Sequence, residues 1–111
     1  YVIQGGSRTN DIMAECDWHI KGEFLENGVD NHLKHVRGAI SMARDDAYDT
    51  ADTQFFVVHK DAAKLDGRYA AFGEMLSGFS VLDKIADEPT YGPETWNKPV
   101  KMPVIRKITV E

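Results

Sequence analysis

A single cysteine, Cys16, leaves the chain without a partner for an internal disulfide. A lone thiol fits a reducing compartment, and a cytoplasmic address is the expectation. Cations are in the minority, with 13 Lys and Arg against 18 Asp and Glu and a net charge of −5. That balance argues against nonspecific nucleic-acid binding, which needs Lys and Arg to neutralise phosphates. No apolar run approaches the roughly 18 residues that a membrane-spanning helix requires, so no membrane partner is expected. Long runs of like charge, internal repeats and low-complexity segments are also missing. What is there is an ordinary globular composition, 42% hydrophobic and 28% charged, in 111 residues. That length suits one domain with a modest core. The first residue is Tyr1, not methionine, and YVIQ reads as the middle of a strand, so a fragment or processed product is expected.

Residues 1–4 form a short apolar run closed by the breaker Gly5-Gly6. Between Ser7 and Asn31, Ile20, Gly22 and Phe24 alternate with Lys21 and Glu23, a pattern for a half-exposed strand. Residues 39–43 (AISMA) read as a buried strand and 44–52 (RDDAYDTAD) as a loop. Gln54 to His59 is rich in the aromatic and β-branched residues that suit a pleated surface. Asp66-Gly67 signals a turn, and residues 70–76 read as another strand. One helix is expected, with Ser80 as its cap, Asp83 as the reciprocating acceptor, and Val81, Leu82 and Ile85 as its apolar stripe. At the chain end Ile108 and Val110 alternate with polar residues as in a strand. Many short strands and one short helix predict an all-β barrel or sandwich.

Two local chemistries need weighing. Cys16 and His19, then His32 and His35, form two pairs of zinc-ligand types. Their spacing departs from the finger pattern, and four unrelated polar-loop side chains are the better explanation. A Cys16–His thiolate pair lacks any visible oxyanion hole or helix N-terminus beside it. The isolated glycines make no phosphate cradle.

The stretch TQFFVVHKDAAKLDGRYAAFG, residues 53–73, is harder to explain as core alone. Alternation sends Phe55 and Phe56 to opposite faces of a sheet. Phe56 with Gln54 beside it and Leu65 beyond then makes an apolar floor edged by an amide, which suits a proline ring and its neighbouring carbonyl. The alternative is that both phenylalanines are core and Gln54 lies in solvent.

HVRGAISMAR and DTQFFVVHKDAAKLDGRYAAFGEMLSGFSVLDKIA, with YVIQGG and IKGEF before them, resemble the cyclophilin family of peptidyl-prolyl isomerases, and SMAR looks bacterial. The resemblance covers nearly the whole chain in motif order. It implies an eight-stranded antiparallel barrel with capping helices, of which residues 1–111 supply the later part. The opening strands and first helix would lie upstream. It also implies that Phe56 floors a proline pocket walled by Val2 and Leu65, with Tyr1 in the position of the family's phenylalanine. Gln4 and Gln54 would bond the substrate backbone, Ala43 and Arg44 would flank the groove before proline, and Tyr69 would stand at the rim in place of histidine. Lys64 stands where several members carry a tryptophan that binds cyclosporin. The family's catalytic arginine falls in the strand just before YVIQGG, and none of Arg8, Arg37, Arg44 or Arg68 takes its place. The implied partners are proline-containing peptides and flexible protein segments, and the implied chemistry is rotation about X-Pro bonds in assistance of folding. Such rotation opposes only amide resonance, so no nucleophile, metal or cofactor is expected. The competing reading is a proline-peptide binding module without catalysis.

Overall fold

The computed structural model describes residues 1–14 and 16–111. Four short strands, β1 (Val2–Gly5), β2 (Ala39–Met42), β3 (Phe55–Val58) and β4 (Ala71–Glu74), form one antiparallel sheet in the order β1-β3-β2-β4. One α-helix, α1 (Phe79–Ala86), follows, and single 3-10 turns cover Leu25–Asn27, Ala63–Leu65 and Pro93–Thr95. No helix among the described residues is long and apolar enough to cross a membrane.

Register sorts the side chains. Gln4 and Ser41 both pair with Phe56, and Val2 pairs with Val58, so these residues share one face of the sheet. Ala39, Phe56, Val58, Ala62 and Leu65 make a buried cluster on that face. The opposite face carries Ile3, Ile40, Met42, Phe55 and Val57, all half-buried. The two phenylalanines therefore part as alternation requires.

The mainly β class stands. Among the described residues the sheet is open, with β1 and β4 at its edges, and is not itself a closed barrel. Closure needs strand tilt and stagger shared over more strands than four.

Local expectations fail in three places, each for a physical reason. First, Ile20–Phe24 is no strand but makes one bridge, Ile20 to Ala51. There the chain is gathered by side chains, with the Gly22 amide donating to Asp49 Oδ1 at 3.0 Å. Second, among the described residues no backbone ladder bond reaches the alternating end. Residues 102–111 carry no regular structure, and Val104, Ile108 and Val110 are exposed.

Third, α1 is not capped by Ser80. Its N-cap is Gly78, at φ 90°, with no side-chain bond. Leu82 is buried, but Val81 faces solvent. Asp83 is drawn away by a longer-range partner, accepting from Arg37 at 2.7 and 3.0 Å and lying 3.0 Å from His59 Nε2. Arg37 also lies over the Phe79 ring at 5.3 Å, so this cluster pins α1 to the chain ahead of β2.

The Arg37 hydrogen bond holds the Asp83 carboxyl below its ordinary value, against a smaller opposing effect of burial and with help from the charge of Arg37 and the His59 bond. A depressed folded value means the contribution is complete above the ordinary carboxylate pKa of about 4 and is lost as pH falls through the lower folded value. Asp83→Asn should therefore melt earlier than the parent at pH 7, with the gap closing towards pH 2. Thermal melts across that range check it. A gap of constant size would show that the loss is not electrostatic.

Candidate functional site

The buried cluster rises to the surface along one line. Phe56, 4% exposed, is the floor, and half-buried Val2, Ala43 and Tyr69 pack around it with Leu65. Tyr69 meets Phe56 edge to face, with ring centroids 5.7 Å apart at 82°. The short Ala63–Leu65 turn and the Asp66-Gly67 corner bring Leu65 and Tyr69 back over β3, Gly67 taking the φ of 75° that the corner demands.

Two amides edge this shelf. Gln4 Nε2 donates to Gln54 Oε1 at 3.0 Å, and Gln54 Nε2 donates to the Ile12 carbonyl at 3.0 Å. Gln54 is buried, whereas Gln4 is exposed on the edge strand. Gln54 therefore does not sit in solvent, as one sequence reading allowed. Beneath it the Asp52 carboxylate collects the amides of Cys16 and Thr53. Burial pushes the Asp52 carboxyl up, but those bonds and one from the Gln54 amide outweigh it, and the net direction is down.

On the far side Arg44 lies against three rings, with its guanidinium carbon 4.6 Å from the Tyr69 centroid, 4.7 Å from Phe24 and 5.4 Å from Tyr48. It also donates to the carbonyls of Arg68, Asp45 and Asp46. This charge holds the loop and the Tyr69 ring in place. Tyr1 stands at the outer end, 58% exposed, with Lys64 Nζ 3.9 Å from its ring centre.

Residues 1–110 match the family described as cyclophilin type peptidyl-prolyl cis-trans isomerase/CLD. The chain belongs to the cyclophilins. It is 33% identical over 110 residues to peptidyl-prolyl cis-trans isomerase A of Dickeya dadantii, covering 95% of this chain and 56% of that protein. Against a probable peptidyl-prolyl cis-trans isomerase of Brucella abortus it is 39% identical over 111 residues, covering 99% and 47%. It thus spans about half the length of these curated relatives. A cyclophilin of Cryptosporidium parvum, crystallised in the presence of the dipeptide Ala-Pro, aligns with a TM-score of 0.74 at 28% identity, over 90% of this chain and 61% of that one.

In this cyclophilin the apolar residues that the resemblance singled out, Val2, Ala43, Phe56, Leu65 and Tyr69, come together, and Gln4 and Gln54 meet at their edge. Arg44 lies behind Tyr69, and Tyr1 stands off towards Lys64. The zinc-type residues take other partners: Cys16 sits by Asp52, His32 pairs with Asp30, and His35 bonds Asp66 and Ser41. No three His, Cys, Asp or Glu side chains among the described residues gather to hold a metal. Sequence reasoning missed Ser41 and Asp66 and took His35 only as a metal-ligand type. A histidine and a serine bracketing a short apolar run, as in HVRGAIS, was the available signal.

Proposed function

We propose that the chain is the proline-gripping part of a peptidyl-prolyl cis-trans isomerase acting on proline-containing peptides and flexible protein segments. The observation that carries it is the Phe56 floor, ringed by Val2, Ala43, Leu65 and Tyr69, with the Gln4–Gln54 amide pair at its edge. An apolar ring finds an apolar seat there, and the backbone on either side finds a donor and an acceptor.

Rotation about X-Pro faces a barrier of roughly 18–20 kcal/mol set by amide resonance. The site accelerates it only by holding the twisted amide better than either planar form. Val2 and Phe56 fix the ring while the glutamine amides hold the adjoining backbone, so that the bond turns between two clamped ends. The cation that would favour a pyramidal proline nitrogen is the arginine that the family resemblance assigns to the strand ahead of Tyr1. Arg37 and Arg44 are committed to Asp83 and to backbone carbonyls. That commitment favours a second reading for residues 1–111 taken alone, capture of proline peptides without acceleration. A cytoplasmic address is part of the proposal and is supported by the lone cysteine.

Titrating an Ala-Pro peptide into labelled protein tests the reading. Shifts are expected at Gln54, Phe56 and Leu65, with exchange cross-peaks between cis and trans peptide when the upstream strand with its arginine is present. Gln54→Ala, which removes a partner from Gln4 and from the Ile12 carbonyl, should weaken binding by about tenfold, equivalent to about 1.4 kcal/mol. Absence of peptide shifts would end the proposal. Shifts without exchange in the extended protein would leave the binding module.

A further inference from the structure

Beneath the Phe56 floor lies a polar cluster to which the proline-gripping reading gives no part. His35, 1% exposed, lies with ring Nδ1 3.0 Å from Asp66 Oδ1 and ring Nε2 2.9 Å from Ser41 Oγ. These are the spacings of an Asp-His-Ser nucleophile system, yet Ser41 is fully buried in β2, so no acyl group can reach its oxygen. The geometry calls for a different role.

The His35 ring stacks on Phe56, with centroids 5.9 Å apart at 23°, and meets Tyr69 edge-on at 6.5 Å and 77°. Its backbone amide donates to the same Asp66 oxygen at 2.6 Å, and its carbonyl accepts from the Ala62 amide at 2.8 Å. One residue thus touches the floor and the rim of the shelf, and ties both to the corner that carries Leu65. A carboxylate can only accept, so the bond to Asp66 places a proton on Nδ1, and in the neutral ring Nε2 then accepts from the Ser41 hydroxyl. Burial pushes the Asp66 carboxyl up, but the His35 amide and ring bonds, with the charge of Lys34, bring it down, which keeps it an acceptor. A ring bonded at both nitrogens cannot turn, and every deeply buried side-chain polar atom among the described residues has a partner.

We propose that His35 is a positioning residue of the proline shelf: bonded to Asp66 and Ser41, it fixes the Phe56 and Tyr69 rings relative to Leu65. The inference rests on the proline-binding reading above. Preorganisation of this kind raises affinity because the rings need no ordering when the ligand arrives.

Ring nitrogen spectra of the histidine-labelled full chain, followed by Ala-Pro peptide titrations, test it. The spectra should show Nδ1 protonated and Nε2 bare, and the opposite tautomer would overturn the proposal. His35→Phe keeps a flat ring and the backbone bond to Asp66 but takes the ring partner from both Asp66 and Ser41, and it should bind the peptide about tenfold more weakly, equivalent to about 1.4 kcal/mol. His35→Asn, whose amide reaches Asp66, should recover most of that loss. His35→Gln, which reaches Ser41 instead, should recover less, and this pair decides the matter if His35→Phe does not fold. Equal affinity in all folded variants would overturn the role of His35 alone. A wild-type chain that ignores the peptide would overturn the proline-binding reading and this inference with it.

Discussion

Phe56→Ala is expected to cost about 3–5 kcal/mol of stability, the range for removing a buried aromatic ring from a core. The ring is 4% exposed and touches the cluster of Ala39, Val58, Ala62 and Leu65 as well as His35 and Tyr69. Its loss leaves a cavity between β3 and the Ala63–Leu65 turn that neither backbone can close alone. A domain of this size gives up about 4–8 °C of melting temperature per kcal/mol, so a fall of roughly 12 °C or more is expected. Since whole domains hold only about 5–15 kcal/mol, part of the Phe56→Ala population should be unfolded at 37 °C. Peptide binding by that variant would then report folding and not the site. Phe56→Leu separates the two. It keeps much of the buried area, at a cost of about 1–2 kcal/mol, but removes the flat surface on which a proline ring lies. It should melt roughly 4–16 °C below the parent but above Phe56→Ala, and bind an Ala-Pro peptide about tenfold more weakly. A folded Phe56→Leu variant with parental affinity would remove Phe56 from the site.

The same phenylalanine shows what the sequence could and could not convey. FF in a β-branched run already sends two rings to two faces, and the strand does so, with Phe55 half-buried on one side and Phe56 buried on the other. Which ring belongs to the site depends on what lies across the sheet. Only the pairing of Gln4 and Ser41 with Phe56 answers that, and those residues lie 52 and 15 positions away in the chain. Short-range signals fared best: the Gly-closed strand at the start, the Asp66-Gly67 corner and a helix near Val81. The Ser80 cap failed because Asp83 was claimed by Arg37, 46 residues earlier. The role of His35 went unseen for the same reason. Its partners, Asp66 and Ser41, are set by the fold, whereas the visible spacing to His32 offered only a metal pattern that the finger spacing already disfavoured. The terminal alternation of Ile108 and Val110 is real as a pattern, but a strand exists through its neighbours, and among the described residues none is bonded there.

The second large effect is expected at Gly6, where the shelf's amide edge depends on a residue with no side chain. Gly6 has φ 93°, and a Cβ placed there would lie 2.3 Å from the Thr53 carbonyl oxygen and 3.2 Å from Gln54 Cα. The two segments are also tied directly, since Thr53 Oγ1 donates to the Gly6 carbonyl at 2.8 Å. Gly6→Ala thus meets two costs. The left-handed conformation alone costs about 1–3 kcal/mol for a non-glycine residue. The collision is with backbone, so it is relieved only by moving Thr53 and Gln54 away from β1. That movement pulls the Gln54 amide off Gln4 and off the Ile12 carbonyl. Gly28 supplies the control, because it has φ 81° but nothing within 4 Å of a built Cβ. Gly28→Ala should therefore show the conformational cost alone and bind an Ala-Pro peptide normally. Gly6→Ala should melt lower than Gly28→Ala and lose about tenfold or more in affinity. If the two variants melted together and bound alike, contact between the Gly6 turn and Gln54 would have no part in shaping the site.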